Sequence, residues 1–136
     1  MAYLWNSVLE TGHEKIDKQH KQLFIALNDI AKAFKEGTGS QELFKTLGFL
    51  TDYTVMHFTT EEDLMEKYDY PGYKAHKQCH EDFKVTVAEL TEQLYEKGPC
   101  EDLIVNVTAV IGDWLISHIR VDDIKMASFV NSKTAV

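Results

Sequence analysis

With 136 residues, 44% of them apolar, the chain is long enough for one domain whose core needs no disulfides or other staples. Its 22 acidic against 14 basic residues give a formal net charge of −8, the wrong sign for neutralising nucleic-acid phosphates. The basic residues are all Lys save Arg120, and they form no polybasic cluster suited to an anionic membrane surface.

Residues 1–17 show neither a basic run leading into an apolar block nor a small-residue cleavage site, and they read as an arm laid along the rest. With no export signal visible and no C-x-x-C pair, Cys79 and Cys100 are expected to be reduced thiols in a cytoplasmic protein. Four helical segments follow, at about 18–36, 40–66, 72–97 and 99–121, before a tail at 127–136; the whole reads as one domain.

In the first segment Leu23, Leu27, Ile30 and Phe34 recur at steps of three and four, and Gly37 suits the position just past its end. Ser40 is a plausible cap for the second, whose stripe is Leu43, Leu47, Leu50, Thr54 and His57. Asp69-Tyr70-Pro71-Gly72 breaks the chain before the third, with Phe83, Val87, Leu90 and Leu94 on one face. Gly98-Pro99 precedes the fourth, which carries Leu103, Val107, Val110, Ile111 and Trp114. The apolar stretch from Leu103 to Ile119 is interrupted by Asn106, Asp113 and His118, as in a core helix and unlike a membrane span. Four amphipathic helices with short connections pack their stripes together, giving an all-α, up-down-up-down antiparallel four-helix bundle with an N-terminal arm.

Five of the six histidines stand at chelating spacings on these helices. His57 and Glu61 are four apart, as are His76 and His80, and four residues advance a helix by only about 40° past a full turn. Each pair therefore leaves one helix face. His118 is followed by Asp122 and Asp123, and His20 stands near the start of the first helix after Asp17 and Gln19. One such pair could be solvated on a surface. Four helices that each carry a ligand-type residue can bring them to one interior point, where imidazoles and carboxylates without a cation would be costly to bury.

These motifs resemble those of the hemerythrins. The matching runs are Ile16-Asp17-Lys18-Gln19-His20, His57-Phe58-Thr59-Thr60-Glu61-Glu62, His76 with His80, and His118-Ile119-Arg120-Val121-Asp122-Asp123. The resemblance extends from Trp5 to about Asp123 and implies the metal-ligand set His20, His57, Glu61, His76, His80, His118 and Asp123. It implies two iron ions, oxo- or hydroxo-bridged, with His76, His80 and His118 on one and His20 and His57 on the other. Five imidazoles, two bridging carboxylates and the bridging oxygen fill all but one of about twelve positions on two octahedral ions. The remaining position would take dioxygen reversibly, for storage, transport or scavenging, without enzymatic turnover. An alternative is an oxygen- or nitric-oxide-sensing domain of a signalling protein such as a chemotaxis receptor, with the arm and tail as coupling elements.

Spacing alone favours Asp122 over Asp123, because residues five apart on a regular helix diverge by about 140°. The resemblance selects Asp123, which requires a helix that loosens or ends near there, or a bridge that reaches sideways. Leu23, Phe58, Trp114 and Ile119 are expected to pack the core and also to wall the dioxygen pocket, keeping it apolar. His13 is read as a bystander, Cys79 as a thiol turned away from the metals, and Glu62 and Asp63 as a solvated acidic face.

Overall fold

Helix begins earlier than the apolar spacing suggests. A computed structural model describes residues 5–134, so residues 1–4 of the expected arm and 135–136 of the expected tail lie outside the described residues. After a short 3₁₀ turn at Ser7–Leu9, helix α1 runs Glu14–Lys35. His13 caps it, its Nδ1 accepting from the Ile16 amide at 3.4 Å. Asp17, one turn in, reaches back to the arm and accepts from the Thr11 amide at 2.9 Å and the Thr11 hydroxyl at 2.7 Å. The arm is thus tied to the first turn of α1, which starts at residue 14 instead of 18.

Helices α2 (Gly39–Lys67), α3 (Tyr73–Lys97) and α4 (Glu101–His118) follow close to the expected bounds. Gly37 lies just past α1 with φ +82°, and the Thr38 amide donates to Ala33 O at 2.8 Å, closing the helix end with a left-handed turn. At the end of α2 the same turn is made by Asp69 at φ 53°, with the Tyr70 amide on Met65 O at 2.9 Å. Asp tolerates that conformation better than most side chains do. Thr38 replaces the expected Ser40 at the start of α2, and it makes no side-chain cap. Pro99 sits just before α4, which Cys100 precedes directly.

The three connections are short, so successive helices run antiparallel, and α1 and α3 each pack on both α2 and α4. No strand occurs among the described residues. This is the expected four-helix bundle. One half of its interior is an apolar core of Leu27, Ile30, Leu43, Leu47, Leu50, Phe83, Leu94, Val107 and Ile111, all nearly or fully buried. Phe83 stacks on Trp114 at 4.1 Å and meets Phe58 edge-on at 5.8 Å. Phe83→Ala is expected to cost about 3–5 kcal/mol in denaturant unfolding, because a rigid helix framework cannot collapse onto the missing ring.

The expected tail from residue 127 is instead helix. After a π-helical turn at Ile119–Asp123 the chain continues without a loop into α5, Ile124–Thr134. Met126, Ala127 and Val130 are fully buried. Met126 and Val130 join Ile16, Met65 and Tyr70 in a second apolar cluster, with Phe129 packed against it. Asn131 donates to Thr11 O at 3.4 Å, so α5 also holds the arm. Burial across that end of the bundle makes this segment helical, and the spacing of Met126, Phe129 and Val130 was its sequence signal. The run Glu101–Thr134 is long and apolar enough to cross a membrane, yet Leu103, Val107, Ile111 and Leu115 face the bundle core.

Candidate metal centre

Antiparallel topology puts the beginnings of α1 and α3 beside the ends of α2 and α4, and the ligand-type residues occupy those ends. His20 comes from α1, His57 and Glu61 from α2, His76 and His80 from α3, His118 from α4 and Asp123 from the π turn. None is more than 4% exposed. The structure brings all seven together in two overlapping groups, and within each group one ligand-type atom per residue lies within 4.8 Å of the others. One group is His76, His80 and His118 with Glu61 and Asp123; the other is His20 and His57 with the same two carboxylates.

The carboxylate oxygens divide between the groups. Glu61 Oε1 lies 3.2 Å from His76 Nε2 and 3.0 Å from His80 Nε2, while its Oε2 lies 3.4 Å from His20 Nε2 and 3.2 Å from His57 Nε2. Asp123 Oδ1 lies 3.0 Å from His76 Nε2 and 3.1 Å from His118 Nε2, and its Oδ2 lies 2.9 Å from His20 Nε2. Each carboxylate thus turns one oxygen toward the three-histidine group and the other toward the two-histidine group.

The π turn makes Asp123 available. A π turn closes i→i+5, so its extra residue brings the side chain five positions on beneath His118, where regular helix would carry it away. Asp122, four residues from His118, serves the far side of that ring, where His118 Nδ1–H donates to Asp122 Oδ2 at 2.9 Å. Both aspartates face the same imidazole, one behind it and one before it.

Two more outer partners were not foreseen. His57 Nδ1–H donates to Gln19 Oε1 at 2.7 Å, and His80 Nδ1–H donates to Glu62 Oε2 at 2.8 Å. Glu62, expected on a solvated face, is only 15% exposed in its side chain, whereas Asp63 is exposed as expected. Bonds of this kind fix the tautomer and aim Nε2 inward. The Asp122 spacing was visible in sequence. Gln19 and Glu62 stand beside ligands in the chain but serve histidines on other helices, which no local spacing reveals.

Glu61 Oε2, both Asp123 oxygens, and Nε2 of His20 and His118 are buried and make no hydrogen bond, although nitrogens and oxygens approach to 2.9–3.4 Å. They converge without the alignment hydrogen bonds require, an arrangement that a cation completes, and imidazole with carboxylate suits iron. Burial would lower the His20 and His76 pKa values. Asp123 and Glu61 beside them outweigh it, pushing His20 up to about 9 and His76 up to about 10. Burial likewise opposes ionisation of Glu61, yet the imidazoles, His57 first, hold its carboxyl well below the ordinary range. Asp123 is also held low, against burial and the Glu61 charge, by His118 and His20.

Aromatic rings back the histidines. Phe58 stacks on His80 at 3.9 Å and lies 5.7 Å from His57, while Trp114 stacks on His118 at 4.4 Å. Leu23 and Ile119 are fully buried in the same cluster. Cys79, expected to turn away from the metals, stands outside both groups; its sulfur lies within 4.8 Å of a ligand-type atom on His118 and on Asp122, and burial pushes its thiol pKa up. His13 lies outside both groups as a helix cap.

Comparison with known proteins adds four findings. The profile of the "Hemerythrin HHE cation binding domain" matches residues 11–130. The chain is 36% identical over 124 residues to the bacteriohemerythrin of Pseudomonas aeruginosa, covering 90% of this chain and 78% of that one. It is 29% identical over 123 residues to the myohemerythrin of Sipunculus nudus, covering 90% and 89%. A solved crystal structure of a leucine-to-phenylalanine mutant superposes with a TM-score of 0.81 at 28% identity, covering 96% of this chain and 98% of that one.

Proposed function

The chain belongs to the hemerythrin family, and from that premise we propose that it binds dioxygen reversibly at a non-haem di-iron centre, for storage, transport or scavenging and without turnover. The observation that most supports two ions is the division of the Glu61 and Asp123 oxygens between the three-histidine and two-histidine groups. His76, His80 and His118 would hold one iron with Glu61 Oε1 and Asp123 Oδ1; His20 and His57 would hold the other with Oε2 and Oδ2. One histidine fewer leaves the second position room for a small exogenous ligand. Bound iron supplies the electrons that dioxygen takes up and returns. Leu23, Phe58, Trp114 and Ile119 give the centre apolar surroundings that exclude water and withhold protons.

Metal analysis with optical spectra of the reduced protein, first anaerobic and then aerated, tests this reading. Two irons per chain and a visible absorption band that appears with oxygen and reverses on its removal are expected. Zinc, a single metal per chain, or continuous oxygen consumption in the presence of a reductant would overturn it. One observation favours the sensing alternative: helix runs unbroken from His118 through Asp123 into α5, so a change at the centre could reach the C-terminal helix without crossing a loop.

A further inference from the structure

The outer hydrogen bonds are shared unequally between the two groups of histidines. In the three-histidine group His80 and His118 each donate Nδ1–H to a carboxylate, Glu62 at 2.8 Å and Asp122 at 2.9 Å. In the two-histidine group His57 donates to the neutral amide oxygen of Gln19 at 2.7 Å, and the buried Nδ1 of His20 makes no hydrogen bond. A carboxylate behind a ligating imidazole raises its basicity and so favours the more oxidised metal; a neutral amide does this far less.

The Gln19 amide is held in one orientation. Its Nε2 donates to Thr60 Oγ1 and Met56 Sδ, both at 3.3 Å. The Thr60 hydroxyl gives its own hydrogen to Met56 O at 3.1 Å, which leaves its lone pairs to accept from Gln19. Turned over, the amide would set Nε2 against the His57 Nδ1–H donor and its oxygen against two acceptors. Gln19 is only 8% exposed, so water competes little for the bond.

Resting on the di-iron reading above, we propose that Gln19 is a positioning residue that keeps the two-histidine metal position electron-poor relative to its neighbour, so that iron there stays ferrous. The step it opposes is the loss of one electron from ferrous iron to dioxygen, which leaves ferric iron and superoxide.

Redox titration of the iron-loaded full chain, followed optically, tests the proposal with two substitutions of opposite effect. Gln19→Glu places a carboxylate behind His57. It is expected to lower the potential of one iron by about tenfold in the equilibrium constant, ~59 mV for one electron, and to speed autoxidation in air. Gln19→Met keeps the length and exchanges the amide oxygen for a weakly accepting thioether, and should raise that potential. A purely structural role would move both variants in the same direction. Two irons per chain with unmoved potentials, or with shifts of the same sign, overturn the role of Gln19 alone; one iron in the parent protein overturns the di-iron reading itself.

Discussion

Glu61→Ala is expected to abolish stoichiometric metal binding. Glu61 is the one residue whose two oxygens face four of the five histidines, His76 and His80 from Oε1 and His20 and His57 from Oε2. Removing it takes a donor from both groups at once, so the affinity loss should exceed the about 10–100-fold typical of losing an outer partner. Glu61→Gln separates the two halves of this effect. Its amide nitrogen cannot ligate, so one oxygen remains and at most one group stays complete. Metal content should fall from two to no more than one per chain, measured by elemental analysis after dialysis. Retention of two metals by Glu61→Ala would remove Glu61 from the centre. His13→Ala, which alters only a helix cap, should leave metal content unchanged.

The second large effect is on pH dependence, and it reverses between metal-free and metal-loaded protein. His20 and His76, raised from 6.5 to about 9 and about 10 beside Glu61 and Asp123, stabilise the metal-free fold fully below the ordinary histidine value. That stability is lost as the pH rises through 9 to 10. Glu61 and Asp123, held low by the imidazoles, add stability that is present above the ordinary carboxylate range and lost in acid. The metal-free protein should therefore be most stable between about pH 5 and 6.5, above the ordinary carboxylate range and below the ordinary histidine value.

Metal binding requires neutral imidazoles and displaces these protons. Affinity should rise with pH, by about hundredfold per unit between pH 7 and 9 if His20 and His76 each release one proton. Calorimetric titration in two buffers of different ionisation enthalpy measures the protons released. Binding that releases none would show that these histidines do not ligate.

The bundle and the paired ligand-type residues of α2 and α3 were legible because both rest on local periodicity. Leu23, Leu27 and Ile30 mark a buried stripe by their spacing, and His57 with Glu61 or His76 with His80 share a face for the same reason. Asp123 could be named from the family motif but not from regular helix geometry, since the π turn that makes it reachable breaks the 3.6-residue period. The C-terminal segment reads as a tail in the sequence and is helix in the structure. Its helix is stabilised by burying Met126 and Val130 against Ile16 and Met65, partners far away in the chain.

By itself, then, the amino-acid sequence determined the apolar stripes of the helices and which imidazole and carboxylate pairs share a helix face. Tertiary structure alone decided what stands behind them. Gln19 reaches His57 and Glu62 reaches His80 only because α1 docks on α2 and α2 on α3, so a neutral amide backs one group and carboxylates the other. Spacing along a helix is set by backbone geometry and can be counted in the chain. A hydrogen bond between helices depends on how two surfaces register, and that is settled only when the bundle packs.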